Sequence, residues 1–207
     1  MKTLLERTFI RLLVMGTVFS CDKNDDAQDL TPIGQTTLTE DDREALLFML
    51  EEEKLARDTY IYLGELWNNN QFLNIKQSEQ SHMDAVTQLL DTYEIDYTIL
   101  ANGDFINADI QSLYDAFITS GSQNVVEAMV VGATIEDLDI VDLGDYIKLT
   151  SNAALISVFE NLRCGSRNHL RSFTNALEIM GSSYTPQYLD LDTYFEIISA
   201  TNERCGW

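Results

Sequence analysis

The sequence predicts an all-α protein: four long helices, a long crossover between the second and third, and short accessory helices. Three observations carry that prediction. Only 2 proline and 10 glycine residues punctuate 207 positions, which favours long helices over many short strands. Apolar residues recur at helical spacing through four long segments. Hydrophobic residues make up 45% of the chain, so a formal net charge of −21 accompanies enough apolar material for a packed core. The acid excess repels polyphosphate and anionic lipid headgroups, which excludes a nucleic-acid-binding role. Three cysteines without a Cys-x-x-Cys pair argue against a thiolate zinc site.

The N-terminus reads as a targeting segment. Lys2, Arg7 and Arg11 lead into the apolar run from Leu12 to Phe19, too short to span a bilayer but suited to a secretory signal. The run ends in Val18-Phe19-Ser20-Cys21, which resembles the lipobox of bacterial lipoproteins, where the signal is cut before the cysteine and that cysteine is lipidated. Residues 1–20 are therefore expected to be a lipoprotein signal peptide and Cys21 the lipid-bearing N-terminus; the alternative is a secreted chain with a coincidental cysteine. Residues 21–37 begin Cys21-Asp22-Lys23-Asn24-Asp25-Asp26 and read as a flexible acidic tether, leaving 38–207 as the helical domain. The expected location is the cell envelope, periplasmic or surface-exposed, with the lipid as the sole membrane contact.

The elements follow in order. Thr39-Glu40-Asp41-Asp42 supplies a hydroxyl N-cap and acids in the first turn, where the macrodipole favours them. The first helix runs on to Trp67 with Ala45, Leu46, Met49, Leu50, Ala56, Tyr60 and Leu63 along one face. The spacing predicts a second helix over Ile75–Tyr93, with Val86, Leu89 and Leu90 on its stripe. A long connection with a loop signal at Asn102-Gly103 and a short helix near Ile110–Ile118 precede the third long helix, Asn124–Leu143. The fourth spans Asn152–Met180 and stops at Gly181; Pro186 marks the exit, and a last short helix covers Leu191–Ala200. Four long helices with a crossover suit a ferritin-like bundle.

At about 100° per residue, a few polar side chains interrupt the apolar stripes. Glu53 falls between Leu46, Leu50, Ala56 and Tyr60, whereas Glu51 and Glu52 lie off the stripe's centre. Glu79 and His82 stand at i and i+3 beside Ile75, Val86 and Leu89. Glu136 is in line with Met129, Ala133 and Ile140, and His169 with Leu162 and Phe173. Both histidines of the chain thus point inward with three carboxylates. Buried unpaired carboxylates are costly, and three of them meeting two imidazoles invite a cation. Carboxylate oxygen with imidazole nitrogen suits iron, manganese or zinc rather than the all-oxygen calcium and magnesium sites. The pattern is that of carboxylate-bridged dimetal bundles.

The blocks Glu40-Asp41-Asp42-Arg43-Glu44-Ala45-Leu46, Glu51-Glu52-Glu53-Lys54-Leu55-Ala56-Arg57-Asp58, Ser78-Glu79-Gln80-Ser81-His82-Met83, Gly165-Ser166-Arg167-Asn168-His169-Leu170 and Tyr184-Thr185-Pro186-Gln187-Tyr188 resemble the uncharacterised ferritin-like family of bacteria and archaea labelled domain of unknown function 2202. The resemblance covers roughly residues 38–196. It implies a ferritin-like four-helix bundle with a dinuclear metal site whose ligands are Glu53, Glu79, His82, Glu136 and His169. The broader ferritin-like pattern would place a second Glu-x-x-His on the fourth helix, yet Ser166 stands three residues before His169. Glu160 lies about 180° away around that helix and could reach the site only through a local bulge, for which Gly165 is the candidate. Asp139, at the stripe's edge, is a candidate substitute ligand.

These residues point to an exported protein holding two metal ions, iron first and manganese or zinc next, that acts on a small inorganic substrate: oxygen, peroxide or ferrous iron. The competing reading is a non-catalytic envelope module with a structural metal or none. In that case the three glutamates would pair with Arg57 or Arg167 and the histidines would be hydrogen-bonded core residues. Tyr60 and Tyr93 are read as aromatic core filling, and the surface acids as a solvated face rather than a metal-uptake funnel. If Cys21 carries lipid, Cys164 and Cys205 are the one pair left for a disulfide, with two free thiols as the alternative. The oligomeric state is open, a dimer included.

Overall fold

The computed structural model describes residues 38–206, and the signal peptide, Cys21 and the tether expected over 1–37 lie outside the described residues. Six helices follow one another: α1 Glu40–Leu66, α2 Asn70–Thr92, α3 Ala108–Gly121, α4 Val125–Leu149, α5 Ala153–Ile179 and α6 Leu191–Ser199. Among the described residues there is no strand, and no helix is long and apolar enough to cross a membrane.

Each helix begins on a side chain that satisfies an orphan backbone donor. Thr39 and Asp42 form a reciprocal capping box at α1, Asn69, Asn107, Asn124 and Asn152 cap α2 to α5, and Asp190 caps α6. Asn69 explains why α2 starts at Asn70 rather than Ile75. Asn68 turns the chain at φ 47°, a left-handed conformation that asparagine tolerates, and Asn69 then accepts from the Gln71 amide. The third long helix continues past Leu143 to Leu149 because Gly144 leaves room for the Arg163 guanidinium, which a Cβ there would meet at 3.0 Å.

α1 with α2 and α4 with α5 form two helical hairpins; α1 touches α4, α2 touches α5, and α3 leans on α1 and α4. Two apolar clusters fill the space between them. One gathers Leu46, Met49, Val86, Leu90, Phe159 and Leu162; the other Tyr60, Leu63, Phe72, Met129, Phe173 and Leu177. On α1, α2 and α5 the chain passes from one cluster to the other, and at each crossing the apolar run is broken by polar residues: Glu52 and Glu53, Glu79 and His82, Ser166 and His169. Glu136 and Asp139 of α4 complete this polar layer.

Several acids that the sequence alone leaves on the surface anchor the connections. Lys54, only 1% exposed, pairs with Asp58 at 2.5 Å and donates to the carbonyls of Ala101 and Asp104, while Asp58 accepts from the Gly103 amide. Glu51 accepts from the amides of Ile106 and Asn107 at 2.8 and 2.7 Å. Together they clamp the crossover onto α1.

The C-terminal tail is fastened to α5. Cys164 and Cys205 are joined by a disulfide, whose loop closure constrains the unfolded chain by roughly 3–4 kcal/mol. Arg167 and Arg171 both reach Glu203, and Glu203 donates its amide to Asn168. The Arg167 hydrogen bond holds the Glu203 carboxyl down at about 2, against partial burial and with help from Arg171. Because this pKa is depressed, the clamp's contribution is complete above the ordinary glutamate value and is lost as pH falls through about 2. An NMR titration of the Glu203 carboxyl should find its midpoint well below 4; a midpoint near 4.5 would mean that the tail is not held by the two arginines.

Candidate metal centre

The polar layer brings the five sequence-identified donors together from four helices. On α2 the i, i+3 spacing sets Glu79 and His82 on one face, and burial among apolar neighbours fixes their rotamers. Glu79, 2% exposed, lies between the two imidazoles: its Oε2 is 2.8 Å from His82 Nδ1 and its Oε1 is 2.9 Å from His169 Nδ1. Glu53 Oε2 approaches His82 Nδ1 at 3.1 Å, and Glu136 Oε2 approaches His169 Nδ1 at 3.4 Å. The imidazole rings face each other with centroids 5.8 Å apart. The donors form two groups, Glu53–Glu79–His82 and Glu79–Glu136–His169, each with its ligand atoms within 4.8 Å of one another. Glu79 belongs to both.

His82 Nδ1 and Glu53 Oε2 are within hydrogen-bonding distance at 3.1 Å, but the site's geometry could also hold cations. Glu79 Oε1 and His169 Nδ1 are close, yet they are not aligned as donor and acceptor, and Glu53 Oε1 has no hydrogen-bond partner. Two donor atoms each about 2.1 Å from one ion and at right angles lie about 3 Å apart, so the spacing matches ligands sharing an ion. The salt-bridge alternative lacks its cations. Arg57 is taken by Asp58, Gln80 and Asn102, and Arg167 by Glu203. Among the described residues, the ion pairs of Glu53, Glu79 and Glu136 are with His82 and His169 alone.

The electrostatics follow from burial and proximity. Burial pushes the Glu53 carboxyl up to about 7 although His82 opposes it, and burial likewise raises Glu136 against the pull of His169. Glu79 moves the other way: burial is outweighed by the two imidazoles that flank it. Both histidines are raised because the carboxylates outweigh the cost of burying their charge, His169 to about 10. Positive charge is therefore strongly favoured at both ring positions, whether carried by protons or by metal ions displacing them.

Ser166 takes no part in either group. Its hydroxyl donates to Asp139 Oδ2 and to the Leu162 carbonyl, so Asp139 is held beside the site but outside both donor groups. α5 runs as an unbroken α-helix through Gly165, and Glu160 stays exposed. Gly165 has a different task. A Cβ there would meet His82 Nε2 at 2.7 Å and Cε1 at 2.8 Å, so the missing side chain is what lets the ring stand between α2 and α5. Gly165→Ala is expected to displace His82 and cut metal affinity at least about tenfold, the scale seen when a ligand's support is disturbed. The helix should remain, since alanine favours it. Cobalt titration with far-UV circular dichroism checks both; unchanged affinity would show that the ring is not a ligand.

Two residues near the site lie beyond what helical spacing indicates. Tyr60, read as core filling, does pack against Phe72 and Phe173, but its hydroxyl also donates to Glu136 Oε1 and so orients a candidate ligand. Glu52 is buried although it sits at the stripe's edge, because α1 is covered on more than one side. Tyr93, by contrast, pairs with Asn152 in the polar contact at the other end of the α2 hairpin.

The model of an uncharacterised protein domain, DUF2202, matches residues 42–201. The chain belongs to the DUF2202 family. All five donors, Gly165 and Tyr60 lie inside the stretch that matches DUF2202. The chain is similar to the uncharacterised protein MJ0754 of Methanocaldococcus jannaschii, 45% identical over 177 residues that cover 84% of this chain and 96% of that protein. The crystal structure of hypothetical protein MJ0754 from Methanococcus jannaschii DSM 2661 superposes with a TM-score of 0.81, covering 83% of this chain and 99% of that one. The helical architecture is thus shared between the two chains.

Proposed function

We propose that this protein is an exported, ferritin-like dinuclear metal protein, with iron the first candidate and manganese or zinc the others, acting in oxygen, peroxide or ferrous-iron chemistry. One observation carries the reading: two three-donor groups share a single carboxylate, Glu79, whose two oxygens face different imidazoles. The two helical hairpins and the α3-bearing crossover between them suit the ferritin-like bundle. Glu53, Glu79 and His82 would hold one ion, and Glu79, Glu136 and His169 the other. A redox-active pair of ions supplies two-electron exchange with oxygen or peroxide when bound. Around it, Tyr60 keeps a proton on the Glu136 side of the site, and the two apolar clusters exclude water from above and below. The His169 side chain, 12% exposed, is the least covered of the five donors and marks the side from which a small inorganic molecule would approach.

The basic start at Lys2, Arg7 and Arg11 and the Ser20-Cys21 junction support export and lipid anchoring to a bacterial membrane, which labelling with an alkyne fatty acid, blocked by Cys21→Ala, would test. Protein purified without chelators should contain two equivalents of iron or manganese by elemental analysis, and should consume peroxide or oxidise ferrous iron. Absence of transition metal under metal-replete growth would sink the reading in favour of a non-catalytic envelope module. A metal-loaded but inert protein would favour a structural metal, in keeping with Ser166 standing where a further carboxylate ligand would be expected.

A further inference from the structure

Four acids of α4 follow one another at intervals of three: Glu136, Asp139, Asp142 and Asp145. Each step of three residues climbs about 4.5 Å and rotates the side chain by about 60° from the one before, so the row spirals from the inward face to the outward one. Burial follows the spiral. Glu136 and Asp139 are buried, Asp142 is half-buried and Asp145 is exposed. Facing the middle of the row from α1 is Glu52, 2% exposed.

Glu52 is the informative member. Neither of its carboxyl oxygens meets a donor, and the same holds for Asp139 Oδ1. The group within hydrogen-bonding reach of Glu52 is another carboxyl, Asp142. Among the described residues no lysine, arginine or histidine forms an ion pair with Glu52, Asp139 or Asp142, whereas the neighbouring Glu51, Asp58 and Asp137 all find donors. A buried carboxyl without a donor is costly, and two of them side by side are costlier still. Lys148 pairs with the outermost acid, Asp145, at 2.9 Å, and Ser166 donates to Asp139 Oδ2, but among the described residues no cationic side chain pairs with the inner carboxyls, which leaves them open to a mobile cation. Acids lining a low-dielectric wall concentrate field lines and raise the local concentration of such ions.

We propose that Asp145, Asp142 and Asp139, with Glu52 opposite, form a transit path that draws divalent cations from solvent to the dinuclear centre, with Glu52 and Asp142 as its binding station. The proposal rests on the dinuclear reading above and separates four residues from the remaining surface acids, which stay a solvated face. Passage is by exchange of carboxylate ligands one helical turn apart, with no covalent or redox step.

The test is the rate at which the metal-free full chain takes up cobalt(II), followed by its ligand-field absorption in a stopped-flow mixer. Glu52→Gln and Asp142→Asn should each slow loading about tenfold or more while the final content stays at two ions. Glu196→Gln, an exposed acid on α6, should load like the wild type. Wild-type rates in both path variants would overturn the path and leave the centre standing. Loss of an ion at equilibrium in either variant would also overturn it, since the residue would then belong to the centre. No cobalt uptake by the wild type would instead overturn the dinuclear reading, and the path with it. Asp142→Asn alters only a half-buried side chain, so the comparison holds even if Glu52→Gln impairs folding.

Discussion

Glu79→Ala is expected to abolish uptake of both metal ions, whereas Glu53→Ala or Glu136→Ala removes one and spares the other. The asymmetry follows from the carboxylate's position. Each Glu79 oxygen lies within 2.9 Å of a different imidazole nitrogen, so its loss reduces each donor group to one carboxylate and one histidine. Two protein donors are one short of the three that typical catalytic sites supply, and the expected fall in affinity is at least about 100-fold, beyond what disturbing a ligand's support costs. Metal titration with elemental analysis reads the stoichiometry directly. Thermal denaturation gives a second readout: added metal should raise the melting temperature of the wild type but not of Glu79→Ala. A variant that still binds two ions would show that the bridge is not a ligand.

Asp137→Ala is expected to cost about 3–5 kcal/mol of stability, because several hydrogen bonds to one charged group, each worth about 1.5–3 kcal/mol before partial exposure is discounted, are lost together. In a chain of this size that is a fall of roughly 10 °C in melting temperature. Asp137 is fully buried and accepts from the Tyr184 hydroxyl at 2.7 Å and from the amides of Gln187, Tyr188 and Leu189 at 2.6, 3.1 and 2.8 Å. These bonds hold the exit segment after α5 against α4. Removing the carboxylate takes the acceptor from four donors at once, the buried Tyr184 hydroxyl and three part-buried amides. Urea denaturation of the variant measures the loss, and a cost under about 1 kcal/mol would mean that the exit segment is not fastened there. Metal stoichiometry should survive, because Glu136 points elsewhere.

The contrast between Glu136 and Asp137 explains what was legible in the sequence. Glu53, Glu79, His82, Glu136 and His169 could be found because each interrupts an apolar stripe on its own helix, and helical phase is a local property. All-helical class and the start of α1 were legible for the same reason, through Thr39 and Asp42. Lys54, Asp58 and Asp137 were not. Their partners are loop backbone groups some 45 to 52 positions away, and nothing in the phase of a helix announces a loop that will fold over it. Gly165 was noticed as a candidate bulge, but its reason is a ring on another helix. Glu52 escaped because a helix covered on several sides has a wider buried arc than a single stripe suggests.

Glu51, Glu52 and Glu53 are the same letter written three times, yet each points about 100° from the next and meets a different world: the crossover's amides, the acidic row of α4, and the imidazole of His82. The run is therefore not redundant in the way its spelling suggests. Deleting a single codon from it would leave a sequence that looks almost unchanged while throwing every later residue of α1 out of phase, carrying Lys54 away from the crossover and Tyr60 away from Glu136. For this protein the spelling tolerates a slip that the machine does not.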